Sequence, residues 1–154
     1  MKTILVPIDF SDVTNAVLDH AILLAQKFAS RIDVVHVAAP EPTFVGYEPG
    51  PQVVRYQVAT ELREEHRLVQ NLAQKLRDQG LDAHGLMLQG STVECIVERA
   101  KKIAADLIIL GSHGHGAIHR VLLGSVSEGV VRHATCPVLI VPARLAHSAN
   151  PQES

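Results

Sequence analysis

The chain of 154 residues is poor in several residue types, and each shortage excludes a class of protein. It has no Trp, two Tyr, three Phe and two Cys, Cys95 and Cys136, which form no C-x-x-C pair. This cysteine spacing disfavours a redox pair or a zinc site and suits a reducing cytoplasm. No apolar run approaches the roughly 18 to 20 residues of a membrane-spanning helix. We therefore expect a cytoplasmic protein without a membrane segment.

The chain also lacks an excess of positive charge. Fourteen Lys and Arg stand against sixteen Asp and Glu, for a net charge of -2, so we expect no nucleic-acid partner. Asp9 interrupts the N-terminal apolar run too early for a signal-peptide core. The composition, 47% hydrophobic, predicts one globular domain at 1–144 followed by a frayed tail at 145–154.

Short apolar segments rich in Val, Ile and Leu alternate with longer segments whose apolar residues recur at helical spacing. The pattern predicts an α/β fold with a single doubly wound, five-stranded parallel sheet flanked by helices. In such sheets, ligands bind at the carboxyl ends of the strands where the winding reverses direction. The predicted strands are 3–8, 31–37, 83–88, 106–110 and 137–141.

Apolar stripes and capping residues predict where the four intervening helices begin and end. Ser11 is the expected N-cap of the first helix, and Gly80 is the expected stop of the second, at about 53–79. The third and fourth helices open on the capping-box patterns STVE at 91–94 and SVSE at 125–128. The inward stripe of the first helix is predicted to be Val17, Ala21, Leu24, Ala25 and Phe28.

Two segments stand out from this regular alternation. The segment 40–51 holds four prolines, two glycines and two aromatic residues, and we expect an irregular loop there. The stretch 111–125 is rich in glycine, which suits a backbone that turns sharply or closely approaches a ligand. Exposed N–H groups in that stretch, together with the N-terminus of the following helix, would form an anion site suited to phosphate.

Two familiar phosphate loops are excluded for this stretch. It is not a Walker loop, because Ala117 follows Gly116 where a lysine is required. It is not a dinucleotide fingerprint, because His119 stands where the third glycine is required and the fingerprint belongs after the first strand.

The stretch does match the pattern G-x2-G-x9-G-S, carried by Gly111, Gly114, Gly124 and Ser125. This pattern resembles the nucleotide motif of the universal stress proteins of the ATP-binding branch. The chain departs from that family after Gly90, where members often have proline. The resemblance nevertheless spans nearly the whole chain, because it also covers ILVPIDFS at 4–11, VVHV at 34–37 and CPVLIV at 136–141.

The resemblance implies a flavodoxin-like fold, similar to that of adenine nucleotide alpha hydrolases, that binds ATP or a related nucleotide (ADP, AMP or cyclic AMP). Pro7, Asp9 and Val37 would line the adenosine end, with Asp9 near the ribose and the Val37 backbone near adenine. Because aromatic residues are few, adenine would lie between aliphatic groups. Mg²⁺ would bridge the phosphates, held mainly by nucleotide and water. The phosphate contacts would come from Gly111, Ser112, His113, Gly114, His115, Gly116 and Ala117, and from Gly124, Ser125, Val126 and Ser127.

Several of these residues also have a purely structural explanation. Asp9 suits a strand end or a helix cap, and Ser125 suits capping with Glu128. Cys136 is interpreted as a small buried hydrophobe, since no base is identifiable beside it. Four histidines resemble a metal cluster but lack a defined set of partner ligands, so no metal site is predicted: His113, His115, His119 and His133.

The loop and the resemblance together predict a nucleotide-binding regulator or sensor of the stress response. Catalysis is not required, because no general base or positioned nucleophile is evident. Two alternatives stay open: a slow ATP hydrolase or nucleotide-dependent transferase, and a nucleotide-free dimeric interaction module. We also expect a homodimer through 138–141, because this apolar strand would lie at a sheet edge that needs cover. The resemblance suggests antiparallel pairing there.

Overall fold

Five strands alternate with four helices within residues 1–39, 52–112 and 123–143, which the computed structural model describes. Each predicted strand is present, with bounds that differ by at most one residue at either end. The predicted loop at 40–51 and tail at 145–154 lie outside the described residues. The strands are β1 (Thr3–Ile8), β2 (Arg31–Ala38), β3 (Ala83–Gln89), β4 (Leu107–Gly111) and β5 (Val138–Val141). The helices are α1 (Val13–Phe28), α2 (Gln52–Asp78), α3 (Thr92–Lys102) and α4 (Ser125–His133).

The strands form one parallel sheet in the order β3-β2-β1-β4-β5. The chain builds outward from β1 to β2 and β3, and then crosses back to place β4 on the other side of β1. The winding therefore reverses between β1 and β4, which confirms the doubly wound fold. The carboxyl ends of these two strands, at Ile8 and Gly111, flank the crevice that this topology opens for a ligand.

Alternating side chains of each strand enter two separate apolar layers. Ile4 and Val6 of β1 pack in the layer that α1 and α2 cover, whereas Leu5 packs in the layer of α3 and α4. All three side chains are fully buried. Because β1 and β4 are covered on both faces, their sequences are apolar almost throughout, as expected for a parallel sheet.

Two of the predicted helix starts differ from the observed caps, whereas Gly80 follows the end of α2 with a φ of +82°, as expected of a helix stop. Asp12 is the N-cap of α1, while the Ser11 hydroxyl instead donates to the Asp9 carboxylate two residues earlier. Gly124 is the N-cap of α4, so Ser125 is its first helical residue. Ser91 does occupy the N-cap of α3, but its side chain makes no capping hydrogen bond. The SVSE segment therefore begins the helix without acting as a capping box.

The inward stripe of α1 is confirmed for Val17, Ala21 and Ala25, which are at most 1% exposed. Phe28 was predicted to face inward and is 56% exposed, so that prediction is wrong. Phe28 is the last residue of α1, and Ala29 then ends the helix in the left-handed conformation. At this end the chain is already turning toward β2, so the apolar stripe no longer faces the sheet.

A charged cluster lies in the layer between β2 and α3. Asp33 is 2% exposed, and its Oδ2 accepts a hydrogen bond of 2.6 Å from the Arg99 guanidinium on α3. Arg31 Nε lies 2.9 Å from Asp33 Oδ1, but its N–H does not point along a hydrogen bond. Asp33 thus couples the α3 helix, whose first turn borders the crevice, to the strand β2.

None of the helices in the described part of the chain combines the length and apolar character that crossing a bilayer requires.

Candidate functional site

An open cavity of about 430 Å³ lies at the carboxyl ends of β1 and β4. The first turns of α1, α3 and α4 surround it, represented by Thr14, Thr92 and Ser125. These helices all begin at this edge because each follows directly on a parallel strand. The cavity therefore occupies the crevice where the winding of the sheet reverses.

Eight of the predicted site residues line this one cavity, although they come from four separate parts of the sequence. Ser112 lies beside it, where its carbonyl accepts the Gly124 N–H at 2.8 Å. The remaining predicted residues, His113, Gly114, His115, Gly116 and Ala117, lie outside the described residues. The eight are Pro7, Asp9, Val37, Gly111, Gly124, Ser125, Val126 and Ser127.

The N-terminus of α4 forms one wall of the cavity. The first N–H groups of an α-helix have no partner within the helix, and in α4 these belong to Ser125, Val126 and Ser127. The Ser127 hydroxyl is buried and donates to the carbonyl of Gly111 at 2.7 Å, which fixes the helix against the end of β4. Aligned N–H groups and the positive end of the helix dipole make this wall suited to an anion.

Asp9 lines the cavity directly after β1, the strand between β2 and β4. Its Oδ1 accepts the Ser11 N–H at 3.0 Å and the Ser11 hydroxyl at 2.5 Å. These bonds orient the carboxylate, which is exposed and lines the cavity. A carboxylate held in this way can accept hydrogen bonds from ligand hydroxyl groups.

The deeper part of the cavity is aliphatic. Val35 and Val37 from β2, Ile96 from α3 and Leu110 from β4 line it, and the described lining contains no aromatic ring. The aliphatic end of the cavity, on the β2 side, thus offers branched apolar side chains. The anion-binding end, on the β4 side, offers backbone N–H groups and hydroxyls, and Asp9 lies between them after β1. This combination fits a ligand with an apolar planar part and an anionic part.

Sequence reasoning missed the contribution of α1 and α3 to the cavity, including Val13, Thr14, Val17, Thr92 and Ile96. The Thr14 hydroxyl is buried and has no hydrogen-bond partner among the described residues. The apolar stripes in the sequence place these residues on helices. Whether the first turn of a helix lines the cavity depends on how the three helices pack against the sheet. No local signal in the sequence could have identified them.

The described residues contain no group of three or more His, Cys, Asp or Glu side chains placed to hold a metal ion. His133 is exposed on the last turn of α4, where its Nδ1 lies 2.9 Å from the Gly129 carbonyl. The other three histidines considered above, at 113, 115 and 119, lie outside the described residues.

The two cysteines have the environment of unreactive thiols. Burial, with a smaller contribution from Asp106, raises the pKa of the Cys136 thiol. Burial also raises the pKa of Cys95, which the neighbouring Glu98 and Glu94 raise further. The thiolate is the nucleophilic form, so both shifts favour the unreactive thiol at neutral pH. Cys136 packs against the layer of α3 and α4, in agreement with its interpretation as a small hydrophobe.

The sequence and the structure of this chain are similar to those of known proteins. The model of the universal stress protein family matches residues 1–142. A universal stress protein of Methanocaldococcus jannaschii is 37% identical over 91% of this chain and 81% of its own length. The structure of the universal stress protein UspA from Lactobacillus plantarum is similar with a TM-score of 0.78 and 26% identity, over 91% of this chain and 97% of that one.

A universal stress protein solved in complex with cAMP is similar with a TM-score of 0.60 and 25% identity, over 92% of this chain and 97% of that one. The sequence motifs, the strand order and these comparisons agree. The chain belongs to the universal stress protein family.

Proposed function

We propose that this protein binds an adenine nucleotide, ATP or a related ADP, AMP or cyclic AMP, and acts as a regulator or sensor in the stress response. The observation that carries the proposal is the division of the cavity into an aliphatic end and an anion-binding end. Family membership supports it, and so does the related universal stress protein that was solved with cAMP.

In this proposal, the adenine ring lies among Val37, Val35 and Ile96 at the aliphatic end. Burying a planar base there removes apolar surface from water, and the family resemblance implies that the Val37 backbone lies near the polar edge of the ring. The Asp9 carboxylate accepts hydrogen bonds from the ribose hydroxyls. Asp9 lies between the aliphatic end and the anion-binding end. This arrangement matches the order of base, sugar and phosphate along a nucleotide.

The phosphate chain is held by the N-terminal wall of α4 and by the end of β4. The N–H groups of Ser125, Val126 and Ser127 are oriented toward the cavity by the helix geometry, so no reorganisation is needed to receive an anion. The glycine-rich residues after Ser112 would complete this end, as the family resemblance implies.

A divalent ion fits this arrangement as a bridge between phosphate oxygens. Mg²⁺ prefers oxygen ligands and keeps several waters. Within the described lining of the cavity, Asp9 is the only carboxylate, and its Oδ1 already accepts two hydrogen bonds from Ser11. The protein would therefore supply few of the ligands, and the phosphates and water would supply the rest.

A binding role accounts for the described site better than an efficient enzyme does. Asp9 is also the only titratable side chain of the described lining, and it lies at the sugar position in this proposal, away from the phosphates. General acid–base catalysis needs a group within hydrogen-bond reach of the attacking water. We therefore expect slow hydrolysis at most.

The proposal is tested by identifying what the protein binds. Purified protein is denatured, and released small molecules are identified by chromatography and mass spectrometry; the stripped, refolded protein is then titrated with ATP, ADP, AMP and cyclic AMP by calorimetry. We expect a released adenine nucleotide or saturable binding of at least one of the four. A protein that releases nothing and binds none of them contradicts the proposal. Multiple turnover of ATP with Mg²⁺ would favour the enzyme alternative.

We also propose that two copies pair through β5. This strand is at the edge of the described sheet, and its Val138, Leu139 and Ile140 side chains are only partly buried. An apolar edge strand leaves backbone N–H and C=O groups that a second strand can pair with. We expect light scattering at micromolar concentration to give twice the chain mass of 16.7 kDa. A monomeric mass would contradict the pairing.

A further inference from the structure

A buried histidine contacts the turn that carries Asp9. His36 is 8% exposed and lies one position before Val37 on β2, in register with Ile8 of β1. Its Nδ1 is 3.0 Å from the carbonyl oxygen of Ile8, the residue that precedes Asp9. Since a carbonyl can only accept, the proton of this hydrogen bond belongs to Nδ1. His36 thus fixes the last peptide before the carboxylate, although it is not among the residues that line the cavity.

Two further contacts fix the histidine ring itself. His36 Nε2 lies 3.4 Å from Glu65 Oε2 on α2, a contact that is attractive when Nε2 also carries a proton. The ring of Phe10 packs on the other side, with ring centroids 4.6 Å apart at an interplanar angle of 45°. The ring is therefore held by α2, by the end of β1 and by the residue that follows Asp9.

Phe10 has an uncommon backbone conformation that this packing helps to maintain. Its φ is +59°, in the left-handed region that non-glycine residues rarely adopt. The chain bends at this residue, so that the N–H and hydroxyl of Ser11 return to Asp9 Oδ1. Strain of this kind persists only where surrounding contacts hold it. The ring contact with His36 and the apolar layer of α1 and α2 supply those contacts.

We infer that His36 is a positioning residue for Asp9: it sets nucleotide affinity by holding the turn Ile8 to Ser11 without touching the nucleotide. The inference rests on the proposed function and deepens it, because it identifies a residue that controls the sugar end of the same site. A replacement of His36 should therefore weaken nucleotide binding only when the Asp9 carboxylate is present.

The test is a double-mutant cycle for ATP binding, measured by calorimetry on His36→Leu, Asp9→Asn and the double variant. We expect His36→Leu to weaken affinity about tenfold in the native background and not at all in the Asp9→Asn background, as coupled residues do.

His36→Asn retains an N–H donor near the position of Nδ1 and should keep affinity within about twofold of native. His84→Leu, a control at an exposed histidine of β3, should leave affinity unchanged. Equal losses from His36→Leu in both backgrounds would overturn the inference.

A second measurement needs no nucleotide. The Ser11 amide donates to Asp9, so its hydrogen exchange reports on the turn, whereas the amide of buried Ile32, which donates to the Asp82 carbonyl, reports on the whole fold. We expect His36→Leu, and not His36→Asn, to speed exchange at Ser11 several-fold more than at Ile32. Equal exchange at Ser11 in native protein and His36→Leu would overturn the inference. If native protein binds none of ATP, ADP, AMP and cyclic AMP, the proposed function fails, and this measurement alone decides the role of His36.

Discussion

Replacing Gly124 with valine is expected to weaken nucleotide binding strongly while the protein stays folded. The backbone of Gly124 is extended, with φ of -64° and ψ of 161°, a conformation that valine adopts readily. Its N–H bond to Ser112 is preserved in the variant, because the substitution changes only the side chain. Gly124 lines the cavity between the end of β4 and the first turn of α4, so we expect the added methyl groups to compete with the proposed phosphates for this space.

We expect the crowding between the valine side chain and the phosphates to cost about 3 kcal/mol of binding free energy, which corresponds to roughly a hundredfold loss of affinity. Calorimetric titration with ATP measures the loss, and thermal unfolding checks that the fold is retained. The matched control is Leu123→Val, because Leu123 is the 44% exposed neighbour of Gly124 and does not line the cavity. Native-like affinity in Gly124→Val would show that the phosphates are not bound at this wall.

Replacing Asp33 with alanine is expected to destabilise the protein by about 3 kcal/mol, because it leaves the Arg99 guanidinium without its buried partner. The Arg99 side chain is 21% exposed and reaches from α3 to a carboxylate that is 2% exposed. Arg31, the second partner, has a side chain that is 36% exposed and can turn to water, so Arg31→Ala should cost less than about 1 kcal/mol. Urea unfolding measures both free energies.

The double replacement Asp33→Leu with Arg99→Met tests whether the loss of stability in Asp33→Ala comes from the unpaired Arg99 charge. Apolar side chains of similar size remove both charges from the layer, and such replacements are often neutral or stabilising. We therefore expect the double variant to unfold within about 1 kcal/mol of the native protein. A loss from Asp33→Ala no larger than that from Arg31→Ala would contradict the importance of the Asp33 to Arg99 bond.

The regular elements could be predicted from the sequence because their signals are local. Alternating apolar runs located all five strands, and the covered faces of β1 and β4 account for their apolar composition. The failures concern the helix ends. Ser11 has the right residue type for an N-cap, but the Asp9 carboxylate competes for its hydroxyl. Phe28 continues the stripe of α1 beyond the point where the helix still faces the sheet.

The candidate site was predictable where strands end and at the start of α4, but not at the starts of α1 and α3. Asp9, Val37 and Gly111 lie at or beside strand ends, and the fold rule for doubly wound sheets brings such residues to one edge. Thr14 and Thr92 reach the cavity only because their helices start there. The sequence does not indicate that His36 positions Asp9. A single histidine in an apolar strand is equally compatible with a buried residue whose hydrogen bonds have only a structural role. The contacts of His36 with Ile8, Phe10 and Glu65 come from β1, from the turn that follows β1, and from α2.

A nucleotide in the cavity at the carboxyl ends of β1 and β4 is expected to change the amide chemical shifts around it, and an NMR titration with ATP measures those changes. We expect the largest changes at Asp9, Val37 and Ser125 to Ser127, whose backbone groups surround the cavity. Ala83 to Gln89 of β3, at the far edge of the sheet, should change little. Changes centred on β3, or no changes at high concentrations of ATP, ADP, AMP and cyclic AMP, would contradict nucleotide binding in this cavity.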